Sequence, residues 1–246
     1  MRLSGERQSG TRPSGVRLIG VGVGPGDPEL VTLKAARILG SADRVFVPVL
    51  DPAEAGRAEA TVATHTPPER VERLVFALDR GQRDRYWAAA GERVAQWLSA
   101  NGGTAAFATI GDPNLYSTFG YLARCVRDAL PEVVVETVPG ITAMQALASA
   151  SGTVLAEGHE SLTLLPLPDG ADGVADALSR NGTVVVYKGG RHLPAIGAAV
   201  AASGRDAILG SHVGLPDERI APLSTVDAAV PYLSTVLIPA KREGDR

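Results

Sequence analysis

The chain has 246 residues, 45% of them hydrophobic, and a formal net charge of −3, enough for one large or two modest domains with a real core and no extensive disorder. That charge balance gives no sign of a nucleic-acid binder, and no window approaches the roughly 18 apolar residues a membrane helix needs. A single cysteine, Cys125, excludes an internal disulfide and a thiolate zinc cage, and suits a reducing, cytoplasmic compartment.

Residues 1–15 carry charge, Ser, Gly and Pro but no apolar run; they read as a flexible tail rather than a secretory signal. The first predicted strand covers 16–23. A loop at 24–28 leads into a helix reaching about Leu39, with Asp27 as N-cap and Pro28 at the first helical position, or Thr32 as the cap of a later start. A second strand covers 43–49 and ends around Pro48. Residues 51–68 read as irregular, 69–78 and 84–98 as helices, 103–111 as a buried strand. A helix at 117–130, a strand at 132–138 and a helix at 141–150 follow. This alternation predicts a mostly parallel sheet with helices on both faces. Beyond it the pattern changes. Strands at 161–166, 182–188, 206–213 and 232–239, with helices at 171–179 and 193–202, predict a smaller α+β domain with a mixed sheet. The expected division is a tail at 1–15, an N-terminal α/β domain at 16–146 and a C-terminal domain at 147–246.

The stretch "LIGVGVGPGDPEL" (18–30) has the look of a nucleotide loop. A dinucleotide fingerprint needs G-x-G-x-x-G and an acid ending the second strand. Gly20, Gly22, Gly24 and Gly26 alternate instead, and Asp43 precedes the second strand. Lys34 has no P-loop frame either. The turn gains meaning from two others. "TIGDPNLYSTFG" (109–120) repeats Gly-Asp-Pro after a buried strand, and "TVPGITAMQALAS" (137–149) is again strand, turn and helix, with Thr142 and Ala143 at the helix start. Loops that follow different strands of a parallel sheet emerge on one edge. Asp27 and Asp112 are therefore expected in one crevice, part of a polar, backbone-lined pocket for a small molecule.

In order and spacing, "GVGPGDPEL", "GDPNLYSTF" and "VPGIT" resemble the tetrapyrrole methylases, the S-adenosylmethionine-dependent methyltransferases of the corrin and sirohaem pathways, over about 16–239. "YST" (116–118), "VLAEGHESLTLLP" (154–166) and "PYLSTVLIP" (231–239) are similar to the branch that methylates C20 of precorrin-2. The resemblance implies two α/β-type domains, a homodimer, and S-adenosylmethionine folded into the cleft between the domains. It implies precorrin-2 as substrate, or alternatively cobalt-factor II. A non-catalytic binder of nucleotide or tetrapyrrole is a rival from another class.

By motif, the resemblance places Pro25 at the cofactor pocket, Ile110, Gly111 and Asp112 around the methionine part, and Leu115, Tyr116, Ser117 and Thr118 over the same pocket. Thr142 and Ala143 match the third turn. Tyr187 and Lys188 fall at the adenosine contact, and Gly214 and Leu215 near adenine. Two departures stand out. The uroporphyrinogen methylases carry an Asp, proposed as a base, where this chain has Pro48, which argues against sirohaem-type chemistry. A Met is common where Tyr187 and Lys188 stand.

Methyl transfer from a sulfonium to an enamine-like carbon is mainly a positioning problem. Asp27, Asp112 and Tyr116 are the polar candidates for any acid–base role. A substrate with eight carboxylates needs cations, for which Arg70, Arg73, Lys188, Arg191 and His192 are available. His65, His159, His192 and His212 show no metal-ligand spacing, so no protein-bound metal is expected; any cobalt would belong to the substrate.

Overall fold

The structure is a computed structural model that describes residues 15–76, 81–226, 230–231 and 234–242. Residues 1–14 of the tail predicted at 1–15, the expected end of a helix at Leu78 and the expected start of the last strand at Tyr232 lie outside the described residues.

In chain order the first part comprises β1 (Arg17–Gly22), α1 (Leu33–Ser41), β2 (Arg44–Val49), α2 (Arg57–Val62), β3 (Val71–Val75), α3 (Arg83–Asn101), β4 (Thr104–Thr109), α4 (Phe119–Ala129), β5 (Val134–Val138) and α5 (Ala143–Ser151). β1 is buried from Leu18 to its end. A strand with no polar face belongs inside a sheet covered on both sides, and β1 lies between β4 and β5 in the order β3-β2-β4-β1-β5. Every pairing in this sheet is parallel. Side chains alternate between two apolar layers. Leu18, Phe46 and Phe107 pack with Trp97, Leu98, Leu122 and Val126 of α3 and α4. Ile19, Val21, Val45 and Val47 pack with Ala35, Leu39, Ala58 and Val62 of α1 and α2. Burying each large side chain contributes about 1.5–3 kcal/mol.

The second part comprises β6 (Ser161–Pro166), α6 (Val174–Ser179), β7 (Gly182–Tyr187), α7 (Leu193–Ser203), β8 (Ile208–Ser211), β9 (Arg219–Pro222) and β10 (Ser234–Ile238). Its sheet runs β6-β7-β10-β8-β9. The β6–β7 pair is parallel and the rest antiparallel, the mixed sheet expected from sequence. One face packs against α6 and α7. The other packs against α5, whose Leu147 meets Val185, Val213 and Leu237. Arg205 serves as an internal strut: it donates to the carbonyls of Gly182, Ile238 and Pro239. Among the described residues no helix is long and apolar enough to cross a membrane.

Three expectations need correction. Residues 69–78 were expected to be a helix, but Val71–Val75 form edge strand β3, paired with β2. Val71, Leu74 and Val75 sit at i, i+3 and i+4, so so short a segment satisfies a helical period while serving as a half-covered strand. Within the supposedly irregular 51–68 lies α2. It is held by Arg73, whose Nε and Nη2 each donate to Glu59 at 2.8 Å. Residues 219–222, given no element, form β9. The first helix has two caps in series: Asp27 accepts from the Glu29 amide at 2.8 Å and caps a single 3-10 turn, Pro28–Leu30, and Thr32 then caps α1.

At the carboxyl edge of the first sheet three turns meet backbone to backbone. A Cβ on Gly22 would lie 2.5 Å from the Gly111 carbonyl and 2.6 Å from the Gly140 amide nitrogen; one on Gly140 would lie 2.1 Å from the Gly111 carbonyl. Asp112 fastens the contact, with Oδ2 accepting from Gly140 N at 3.0 Å and Oδ1 from Asn114 N at 2.8 Å.

Gly140→Ala should therefore destabilise the protein by about 1–3 kcal/mol in urea unfolding. Gly120→Ala, on α4 with nothing near the new methyl, should stabilise by about 0.5–1 kcal/mol. The Glu59–Arg73 pair gives a pH signature. The hydrogen bond from Arg73 holds the Glu59 carboxyl below its ordinary 4.5. A depressed folded value adds stability that is complete above the unfolded value and lost as pH falls through the folded one. The stability gap between wild type and Glu59→Gln should stay flat at neutral pH and shrink below about pH 4.5, read by urea titrations at several pH values.

Candidate active-site cleft

The three turns form one wall of a cleft that is partly open to solvent. The ends of β7, β8 and β10 form the other wall.

Ten of the residues picked out from sequence line it. Pro25 comes from the turn after β1. Ile110, Gly111, Asp112, Leu115 and Tyr116 come from the turn after β4. Thr142 and Ala143 open α5, Tyr187 ends β7 and Lys188 follows it. Gly111, at φ +71°, would give a Cβ nothing closer than 4.0 Å, so the missing side chain leaves room beside bare backbone. Thr142 caps α5 in a reciprocal box with Gln145, which turns the start of that helix toward the cleft.

The other picked residues stand behind the lining. Asp27 uses its carboxylate as the cap described above and does not line the cleft. Ser117 Oγ accepts from Phe119 N and shares a 3.1 Å hydrogen bond with Thr109 Oγ1, so it braces the second turn. Thr118 stands at the start of α4. Gly214 and Leu215 pack on the outer side of the first turn: a Cβ on Gly26 would lie 2.8 Å from Leu215, and one on Gly214 3.0 Å from the Asp27 nitrogen.

Sequence reasoning missed Arg57, Gly210, His212, Val213, Ser234 and Thr235, which also line the cleft. His212 and Val213 belong to the same turn as Gly214 and Leu215, one step nearer the ligand space. Ser234 and Thr235 lie in "PYLSTVLIP", where only the resemblance was noted. Arg57 was hidden by reading 51–68 as irregular. Of the expected carboxylate-binding cations, Lys188 lines the cleft. Arg70 instead donates to the carbonyls of Gly40 and Ala42, Arg73 pairs with Glu59, and Arg191 and His192 form a 3-10 turn beyond β7 outside the lining.

Backbone strain concentrates here. Among the described residues the non-glycines with positive φ are Tyr116 (51°), Lys188 (59°) and His212 (52°), and all three line the cleft. A side chain in this region costs on the order of 1 kcal/mol or more, and such residues gather where function constrains the backbone.

The polar groups are specific in what they can do. The Tyr187 hydroxyl accepts from Met144 N at 3.2 Å, and its ring lies 5.4 Å from that of Tyr116. Tyr116 reaches across to the Leu164 carbonyl at 3.4 Å, and Lys188 Nζ stands 5.9 Å above the Tyr116 ring. Burial pushes both phenols above their ordinary value. Both are therefore neutral at physiological pH and can offer hydrogen bonds. Among the described residues no cluster of three or more His, Cys, Asp or Glu could hold a metal ion.

Residues 17–228 match the family model described as tetrapyrrole (corrin/porphyrin) methylases. The chain belongs to the tetrapyrrole methylase family. It is 34% identical to the precorrin-2 C(20)-methyltransferase of Sinorhizobium sp over 241 residues, covering 92% of this chain and 96% of that one. It is 30% identical to the cobalt-precorrin-2 C(20)-methyltransferase of Salmonella typhimurium, covering 90% and 95%. Its fold superposes with a TM-score of 0.64 on the uroporphyrin-III C-methyltransferase of Thermus thermophilus complexed with S-adenosylhomocysteine, at 23% identity and 91% and 92% coverage. As a tetrapyrrole methylase, the chain carries its three turn motifs on one wall of one cleft.

Strain at Lys188 can be measured. Lys188→Gly and Lys188→Ala both remove the amine, but only glycine relieves the positive φ. The glycine variant should be the more stable by about 1 kcal/mol in thermal or urea unfolding.

Proposed function

We propose that this tetrapyrrole methylase transfers a methyl group from S-adenosylmethionine to C20 of precorrin-2, giving precorrin-3A on the route to cobalamin. The observation that carries this reading is the likeness to the Sinorhizobium precorrin-2 enzyme over 96% of that protein's length. The cleft supports it through what its residues can do.

When bound, S-adenosylmethionine supplies an already activated methyl group on a sulfonium. The residues then have to hold, aim and dry. The Gly111 backbone and the Asp112 carboxylate suit the ammonium of an amino-acid moiety, and the room left at Gly111 fits a close approach. Pro25, Ile110, Leu115 and Val213 present apolar surface that excludes water. The neutral phenols of Tyr116 and Tyr187 offer hydrogen bonds without competing for the methyl group as phenolates would. We assign the cofactor site to the residues on this wall, with Ser117, Thr118, Gly214 and Leu215 bracing it. Of the two Gly-Asp-Pro carboxylates, Asp112 lines the cleft while holding the Asn114 and Gly140 amides, and Asp27 caps the turn behind it. The reaction needs little more, since displacement from a positioned sulfonium is accelerated chiefly by alignment.

The relatives divide over cobalt in the substrate. The match to the metal-free enzyme, 34% over 92% of this chain, is longer than the 38% match over 61% to a probable cobalt-precorrin-2 enzyme of Methanocaldococcus jannaschii; precorrin-2 is the first reading and cobalt-factor II the second. A homodimer acting in the cytoplasm completes the proposal; it rests on the family resemblance and on the lone cysteine.

Purified protein should methylate metal-free precorrin-2 in the presence of S-adenosylmethionine. Mass spectrometry should show one added methyl, and NMR should place it at C20. Preference for cobalt-loaded substrate would reverse the choice between the two readings, and failure to bind S-adenosylhomocysteine in calorimetry would revive the non-catalytic binder. Gly111→Ala should lower the affinity for S-adenosylhomocysteine by about tenfold or more, because its methyl fills space next to the backbone. The same change should cost about 1 kcal/mol of stability at that positive φ.

A further inference from the structure

We propose that Arg57 reads a carboxylate of the tetrapyrrole substrate, and that His212 and Asp217 aim it. The inference rests on the proposed function and adds the substrate-side specificity determinant missing from it.

Arg57 opens α2, close behind the end of β2. The approach is tight: a Cβ on the preceding Gly56 would lie 2.5 Å from the Pro48 carbonyl. The exposed Arg57 side chain then lines the cleft, and its Nη2 lies 3.0 Å from His212 Nε2. A guanidinium has five N–H donors and accepts nothing, so His212 Nε2 must be the acceptor. The ring proton therefore sits on Nδ1, which faces the Asp217 carboxylate. Asp217 fixes the tautomer, the ring presents one lone pair, and that lone pair orients Arg57. The three residues form a chain from the turn after β8 to the first turn of α2, joining the two walls.

Two observations point this chain toward an anion. First, arginines in ion pairs elsewhere have a carboxylate: Arg17 with Glu136, Arg73 with Glu59, Arg93 with Glu72, Arg180 with Asp176 and Arg242 with Glu160. Among the described residues, Arg57 is shown with the His212 imidazole and no carboxylate. An oriented guanidinium with most of its fork uncommitted is suited to bidentate capture of a carboxylate. The methyl donor offers one carboxylate, beside the ammonium of its amino-acid moiety, whereas the macrocycle offers eight, so the substrate is the better-matched anion and the affinity for S-adenosylhomocysteine separates the two. Second, His212 holds a positive φ of 52°. That conformation carries a cost for any residue with a Cβ, and here it accompanies a ring facing Arg57 on the cleft wall.

A purely structural tie between the walls is the competing account, and kinetics separates the two. Arg57→Ala should raise KM for precorrin-2 by about tenfold or more, the scale of a hydrogen-bonded charge contact, with the loss falling on KM more than on kcat. Affinity for S-adenosylhomocysteine should stay within about twofold. Arg57→Lys should recover only part, because an ammonium lacks the planar fork. His212→Ala should also raise KM, and His212→Gln should restore much of the loss, since its amide oxygen can accept from the guanidinium. Both variants keep a Cβ, so backbone strain is matched. An unchanged KM in Arg57→Ala, or a parallel loss of S-adenosylhomocysteine affinity, overturns the proposal. Binding of uroporphyrin III, a porphyrin with eight carboxylates, followed by fluorescence quenching, gives a readout independent of turnover. If the wild type transfers no methyl group to precorrin-2, the proposed function fails; Arg57-dependent binding of the porphyrin would still uphold the role of Arg57. Equal binding by wild type and Arg57→Ala, or binding by neither, would sink it.

Discussion

Three glycines, Gly22, Gly111 and Gly140, touch through their backbones where the central strands of the first sheet end, and side chains on Gly22 and Gly140 would not fit. This contact sets the shape of the cleft. It draws the turns after β1, β4 and β5 closer together than neighbouring parallel strands require. Asp112 locks the arrangement by accepting from two amides, one in its own turn and one in the next. The residues that follow each glycine are then delivered to a common surface: Pro25 from the first turn, Ile110 to Tyr116 around the second, Thr142 and Ala143 from the third. The two caps do complementary work: Asp27 caps the 3-10 turn behind the cleft and Thr32 caps α1.

The opposite wall is built by different means. Here the backbone is strained rather than stripped of side chains. Lys188 and His212 take a left-handed conformation at the ends of β7 and β8, and Tyr116 of the second turn, in the same conformation, crosses from the facing wall to β6. The outcome is a wall rich in side-chain chemistry facing a wall rich in bare backbone. One suits hydrogen bonding and charge recognition, the other close approach. Methyl transfer between two bound molecules calls for both.

Much of this was legible in the sequence, and the exceptions have physical causes. The parallel sheet could be read from strands such as Leu18–Gly22, whose unbroken apolar run has one stable setting. The turns could be read because Gly-Asp-Pro occurs twice, each time after a buried strand, and the role of Thr142 followed from its place before a helix. β3 escaped because its charged residues Glu72 and Arg73 interrupt any alternation, and only its pairing with β2 decides its state. β9 is four residues long and depends on β8 for a partner. Arg57 and His212 are 155 positions apart; nothing local to either announces the other. Asp27 shows the opposite case: its N-cap signal was readable, and its bond to the Glu29 amide bears that reading out.

Each sheet has its own pair of apolar layers, and the cleft falls between the two structures they stabilise. A molecule seated there touches both at once. Its binding free energy therefore adds to the coupling between the halves as well as to the stability of each. Occupancy of the cleft thus becomes a determinant of cooperativity: the filled protein has reason to unfold as one unit, and the empty one retains the option of losing its halves separately.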